Sequence, residues 1–320
     1  VLITLVNICN FTMLLSAHQA TNKDGKAVLL TVNKESPLTH YMVCTANRLK
    51  IDEQSITNGD NQITFQLREQ ISDDTWETHE ISLPAVMNGA KASLSLDRVN
   101  VVLSAESKPN LVFDNAFSFM ATMAEIIGAP DAISDFLKLK CLYVGQTELR
   151  TDYIRLQGHE KVQQALAEAV HYEPHREVFV KLLSFQDPFC NALSIPEVAS
   201  ELRVDWLPGG ELLNNLPKAQ LANLIEGALI NYFKPILNVK LKHNFPSSRH
   251  SSYGYFYERE VRSVVVELHE EYRAYVTCSE IAPPRKIFFI EYKLNKDASG
   301  AFIQNNSIQD LDRIVLGRKA

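Results

Sequence analysis

The stretch KLKCLYVGQ, residues 138–146, decides how the rest of the chain is read. Apolar and polar side chains alternate along it with the period of two expected of a strand, and Gly145 marks a turn at its end. Residues 151–172 predict a helix. Thr151 and Asp152 are candidate N-caps, and Ile154, Lys161, Val162, Ala165, Leu166 and Ala169 lie along one side. The nearly all-apolar run VFVKLLSF, residues 178–185, suits a central strand covered on both faces. A helical stretch at 196–204 and a Leu-Pro-Gly-Gly turn at 207–210 come next. A strong helix then runs from Lys218 to Phe233 and stops before Pro235. Strand, helix, strand, helix, helix is an α/β unit on a small sheet.

Upstream, residues 115–139 turn helical, with Phe117, Met120, Met123, Ala124 and Ile127 at helical spacing. Gly128-Ala129-Pro130 is a stop, with a second short helix after it. Residues 1–110 read as β-rich, with short runs at 27–32, 41–45, 63–67 and 99–103 between turn clusters at 58–60 and 88–89. The first sixteen residues are strongly apolar and precede Ala-His-Gln-Ala, as in a signal peptide. They lack a basic leader, however, and Asn7, Asn10 and Thr12 interrupt them, so a buried first strand is expected. Three β runs, at 261–268, 272–277 and 287–294, occupy the tail. The fold class expected is α+β or α/β. The divisions are a β-rich recruitment or regulatory domain over 1–110, the α/β unit with its helical insertion over 111–255, and a β-rich extension over 256–320.

The 320 residues are 46% hydrophobic and 22% charged, which excludes wholesale disorder and a disulfide miniprotein. Five scattered cysteines, none in a C-x-x-C pair, predict reduced thiols and a cytoplasmic setting. A net charge of −6 argues against a protein that coats nucleic acid over its whole surface, but a local basic groove is compatible with it. Between residues 51 and 80 eight carboxylates accompany one basic residue, Arg68, which reads as a solvated acidic face. No segment after the first sixteen residues has the roughly 18 uninterrupted apolar residues that a membrane span needs, and no membrane partner is expected. P-loop, G-x-G-x-x-G, G-x-S-x-G and H-E-x-x-H patterns are absent. Kinase, dehydrogenase, α/β-hydrolase and zinc-protease readings therefore have no support. His171 and His175 have a metal-like spacing, but Pro174 interrupts the helix that would align them.

Chemistry concentrates around the helix 218–233. Leu221, Leu224, Ile225, Ala228, Leu229 and Tyr232 form its core face, and Glu226 sits at the edge of that stripe among apolar neighbours. A carboxylate there needs a cation, a hydrogen-bond network or a proton to offset its desolvation. Arg155 and His159, four residues apart, share one helix face. Tyr143 ends the strand before Gly145, and Asn238 lies one loop beyond the glutamate helix. From Gly227 to Tyr257 the chain has no acidic residue, while Lys234, Lys240, Lys242 and Arg249 form a basic strip fit for phosphates.

In order and spacing these residues resemble the GIY-YIG nuclease family over residues 138–240. Tyr143-Val144-Gly145 stands at its second tripeptide, Arg155 at its helix arginine, His159 at a histidine some members carry, Glu226 at its metal-binding glutamate and Asn238 at its closing asparagine. The first tripeptide, expected on a strand shortly before residue 138, is not recognisable. Phe113, Phe119 and a helical insertion stand there, and His250 or Tyr253 of the following polar segment could fold back as a substitute. The resemblance implies a small GIY-YIG-like sheet with flanking helices and a metal-dependent endonuclease acting on nucleic acid, with DNA expected, in a defence or mobile-element setting. Glu226 would hold Mg²⁺ or Mn²⁺. Tyr143 or His159 would orient or deprotonate water, and Arg155 would brace the developing charge. The alternative left open is a degenerate nuclease scaffold that binds nucleic acid or protein, with a protein partner recruited by residues 1–110.

Overall fold

The computed structural model describes residues 2–21, 23–87, 89–128, 135–147, 160–185, 187–193, 216–246, 251–259 and 261–294. The chain begins with β1 (Leu2–Ser16), α1 (Ala17–Thr21), α2 (Lys23–Glu35) and β2 (His40–Asn47). An insertion follows: β3 (Leu49–Ile51), β4 (Thr57–Asn58), β5 (Gln62–Gln70), β6 (Trp76–Pro84), β7 (Val86–Met87), β8 (Ala90–Asp97), β9 (Asn100–Ala105), β10 (Leu111–Phe113) and α3 (Ala116–Ile126). Next come β11 (Lys138–Gln146), α4 (Glu160–Tyr172), β12 (Arg176–Phe185), β13 (Phe189–Leu193) and α5 (Lys218–Phe233). The last described elements are α6 (Gly254–Glu258), β14 (Val261–His269), β15 (Val276–Cys278) and β16 (Ile287–Lys293).

The architecture is mixed α+β and strand-rich. Its main sheet has the order β15-β11-β2-β12-β1-β14-β16, with β13 also beside β1. The expected first strand lies at the centre. Its second half pairs antiparallel with β12 and its first half with β13, while β14 runs parallel along its other side. The polar residues that interrupt β1 find partners in this core. Asn7 Nδ2 donates to the Val265 carbonyl at 3.1 Å, and the Thr12 and Tyr275 hydroxyls are 2.9 Å apart. Lys181 of β12, fully buried, is paired with Glu270, and its Nζ donates to Thr277 Oγ1 at 2.8 Å, so the buried charge is matched.

The segments 1–110, 111–255 and 256–320, expected as three domains, each contribute strands to this one sheet. β1 and β2 come from the first, β11 to β13 from the second and β14 to β16 from the third. The boundaries at 110 and 255 therefore do not divide it, because local β-propensity shows that a run is a strand but not which strand it joins. What lies between β2 and β11 is an insertion built on two smaller sheets, β10-β9-β8-β7 and β3-β5-β4 with β6 beside β5. The run AVLLTV at 27–32, expected as a strand, is helical within α2. Leu29 packs inward with Val32 beside it at the i,i+3 spacing of a helix, a pattern that so short an apolar run does not separate from a strand.

Two apolar layers sandwich the sheet. On one face Met42, Cys44, Val144, Phe179 and Leu183 meet α3 and α5 through Phe117, Met120, Leu224, Ala228 and Leu229. On the other face Tyr41, Val43, Leu142, Val178, Val180 and Leu182 meet Ala20, Leu29 and the α4 residues Val162, Ala165 and Ala169. Each large aliphatic or aromatic side chain buried here contributes roughly 1.5–3 kcal/mol. The layers put α4 and α5 on opposite faces of β2, β11 and β12, which positions the site. No helix of the described residues is long and apolar enough to cross a membrane.

Candidate active site

The site forms where β11 runs out along the sheet. β15 pairs only with residues 138–140 of β11, whereas β2 follows it antiparallel from Lys140 to Gln146. A register shift between Cys141 and Tyr143 lets Leu142 and Tyr143 both join the α4 face. Tyr143 is half-buried there against Tyr41 of β2, with ring centroids 5.8 Å apart. Gly145, expected as a turn, instead continues β11 opposite Tyr41, and its reason is steric: a Cβ there would lie 2.7 Å from both Tyr143 Cε1 and the Tyr41 hydroxyl. Burial raises the Tyr143 pKa and the charge of Glu226 raises it further. A hydrogen bond with Tyr41 opposes both, and Glu160 at the start of α4 adds a smaller upward push.

From the other face α5 brings Glu226 to the same end of β11. Gln146 Nε2 donates to Glu226 Oε2 and to Asn223 Oδ1, both at 2.8 Å, so strand and helix share a polar junction. Burial pushes the Glu226 carboxyl above the usual carboxylate range, with Gln146 pulling it back. His40, which pairs in register with Gln146, is buried. Its Nε2 lies 3.0 Å from the Ala222 carbonyl, and its Nδ1 lies 2.9 Å from the Thr39 hydroxyl. The carbonyl requires the Nε2–H tautomer, which leaves Nδ1 as the acceptor. Asn238 closes the arrangement: its Oδ1 accepts from the Val144 N–H and its Nδ2 donates to the Val144 carbonyl, each at 2.9 Å. Behind the helix a Cβ on Gly227 would lie 2.4 Å from the Phe245 ring, so glycine lets that aromatic seat against α5.

Tyr143, Gly145, Glu226 and Asn238, expected together from the sequence, therefore surround one end of β11. Arg155, His159, Arg249 and His250 lie outside the described residues. Tyr253, expected to fold back over the site, is buried between Phe245 and Tyr257 in an aromatic cluster, and it is the neighbouring Ser252 carbonyl that accepts from Asn223. Lys234 and Lys240 are exposed and Lys242 is partly exposed, and none of the three makes an ion pair among the described residues.

Three residues escaped the sequence reading: Tyr41, His40 and Gln146. The strand paired with β11 was expected shortly before residue 138, where Phe113 and Phe119 instead pack against each other within the insertion, ring centroids 5.4 Å apart. The pairing strand is β2, far upstream. The signal that could have found it is a second tyrosine, Tyr41, leading the β run YMVCT.

The oxygens that could hold a hard divalent cation lie beside the Gln146 amide. They are the Glu226 carboxylate and the Asn223 amide oxygen one turn before it, both oxygen ligands of the kind Mg²⁺ takes alongside water. Among the described residues Gln146 is the one hydrogen-bond donor to Glu226, which leaves Oε1 without a donor. Glu226 belongs to no group of three such ligands there; the group that exists is Glu69, Glu77 and His79 on the β5–β6 hairpin. Hydrogen bonding accounts for much of that group, since Asn47 donates to Glu69 Oε1 at 2.7 Å and His79 Nε2 lies 3.3 Å from Oε2.

The chain matches no family model, no curated protein and no solved structure. A functional assignment rests on the residues themselves.

Proposed function

We propose that the protein is a GIY-YIG-like endonuclease that hydrolyses phosphodiester bonds of nucleic acid, with DNA as the expected substrate, at the end of β11 that Tyr143 and Glu226 approach from opposite faces of the sheet. The observation that carries the reading is the convergence of Tyr41, Tyr143, Gln146, Glu226 and Asn238 at one end of β11, brought from four separate parts of the chain. Tyr41 supplies, from β2, the tyrosine whose absence before residue 138 spoke against the resemblance.

Glu226 would hold Mg²⁺ or Mn²⁺ through its carboxylate, and the ion would supply Lewis-acid stabilisation of the phosphate and of the leaving oxygen. Tyr143, already ionised to the phenolate, accepts a hydrogen bond from the attacking water and takes up its proton, becoming the neutral phenol as the water oxygen attacks. Tyr41 stabilises that ionised oxygen. Gln146 fixes the Glu226 carboxylate, and Asn238 holds the strand that carries Tyr143. The basic strip after α5 neutralises phosphates beside the cleft. Water oxygen bonds to phosphorus, the bond to one ester oxygen breaks, and that oxygen takes up a proton as it departs.

The test is nicking of supercoiled plasmid with Mg²⁺ or Mn²⁺ and with chelator. Wild type should cleave only with the cation, and Glu226→Gln should abolish cleavage while its circular dichroism and thermal midpoint stay near wild type. A Glu226→Gln protein that cleaves at the wild-type rate overturns the assignment. Metal-independent binding by a wild type that never cleaves would favour the non-catalytic reading.

A further inference from the structure

The loop after α5 presents two aliphatic side chains that the cleavage reading does not use. Ile236 is 59% exposed and Val239 is 88% exposed, whereas Leu237 and Asn238 between them are buried. Single exposed aliphatic residues are ordinary. These two differ because the backbone around them is pinned. The Leu237 N–H donates to the Leu142 carbonyl at 2.9 Å, and Asn238 grips Val144 from both sides. Asn231 Nδ2 donates to the carbonyls of Leu241 and Lys242 at 3.2 and 2.9 Å. With the inward places taken by Leu237 and Asn238, Ile236 and Val239 are held outward on a braced tip. The tip is anchored to the residue between Tyr143 and Gly145, so it stands beside the proposed cleft.

Its surroundings identify the occupant. Lys234, Lys240 and Lys242 flank the two aliphatic side chains without ion-pair partners among the described residues, and no acidic residue occurs from Gly227 to Tyr257. That combination complements a polyanion with an apolar interior. Single-strand sites stack bases on aromatic rings, and residues 234–244 contain no Phe, Tyr or Trp. Aliphatic side chains flanked by cations instead act as wedges between stacked base pairs.

We propose that Ile236 and Val239 form an aliphatic wedge that enters a base step of a DNA duplex, with Lys234, Lys240 and Lys242 on the flanking phosphates. The proposal rests on the reading that the Tyr143–Glu226 cleft acts on phosphodiesters. The wedge presses the base step open and presents the backbone beside it to the cleft.

The experiment uses the full chain carrying Glu226→Gln, in chelator, with a short fluorescein-labelled duplex, its single strand, and a duplex containing 2-aminopurine. The duplex should bind more tightly than the single strand and 2-aminopurine fluorescence should rise on binding. Adding Ile236→Ser and Val239→Ser should weaken duplex binding about tenfold, about 1.4 kcal/mol. The fluorescence rise should be lost and the salt slope retained. Lys234→Gln, Lys240→Gln or Lys242→Gln should each reduce the salt slope by about 0.9. The wedge is overturned if duplex binding is undetectable, if the single strand binds as well, or if the serine variant binds and unstacks like its parent. The two proposals fail separately. A wild type that cleaves while the serine variant unstacks normally sinks only the wedge, and normal wedge behaviour in a protein that never cleaves sinks only the nuclease.

Discussion

Tyr143 is held between opposed influences, and Tyr41 is the one that favours its ionised form. Burial and the Glu226 charge raise its pKa, while the Tyr41 hydrogen bond lowers it. If the phenolate is the proton acceptor, the cleavage rate rises with pH until Tyr143 is ionised. Tyr41→Phe removes the lowering contact, so the Tyr143 pKa rises and the ascending limb of the pH–rate profile moves to higher pH. Each unit of displacement is about a tenfold lower rate at fixed pH on that limb. Substrate binding should change little, because Tyr41 is buried. A Tyr41→Phe profile superimposable on wild type would remove Tyr41 from the proton path. The positions of Tyr143 and Glu226 are legible in the sequence because each stands out against its own element, a tyrosine near a strand's end and an acid on an apolar helix. That of Tyr41 is not, since it lies within a β run whose pairing partner begins nearly a hundred residues later.

The glutamate helix shows what local pattern can and cannot deliver for an element. Residues 218–233 are helical with the bounds the apolar spacing and Pro235 predict, and Lys234 ends the helix in the left-handed conformation at φ 45°. No local pattern foretells its seat on the sheet, which His40 fixes through the Ala222 carbonyl. Burial lowers the His40 pKa to about 4. The unfolded chain, with a histidine near 6.5, therefore binds this proton more readily than the fold does. The His40 contribution to stability is complete above about pH 6.5 and is lost as pH falls from there toward 4. Between pH 7 and pH 5 that loss is about 2 kcal/mol. Glu177 works the other way, since burial raises its carboxyl to about 7 and the fold gains relative stability as pH falls from there. Comparison with His40→Gln separates the two, because the amide can donate to Ala222 without titrating. Urea unfolding at both pH values should show wild type losing about 2 kcal/mol more than the variant on acidification. Equal losses would mean that His40 does not remain neutral in the fold.

At the scale of the whole molecule, the site depends on pairings that span almost the entire described chain. β1 joins β14 in parallel across more than two hundred and fifty residues, and β2 joins β11 across the whole insertion. The sequence reading placed a self-standing α/β domain at 111–255 because strands and helices alternate there. The structure instead seats β12 between β2 and β1, both from residues 1–110. A fragment containing only 111–255 keeps β11, β12, β13 and α5 but loses the strand that separates β11 from β12 and the central strand on which β12 and β13 both rest. Its apolar faces would stay open, and the hydrophobic burial that offsets chain entropy would be missing. Expressed alone, the fragment should lack cooperative unfolding in urea by circular dichroism, whereas the full chain should unfold in a sigmoidal transition. A fragment that unfolds cooperatively would restore the self-standing domain. Failure to fold would show that the strand carrying Tyr143 depends on β1 and β2 for its stability, so that the site and the long-range pairings stand or fall together.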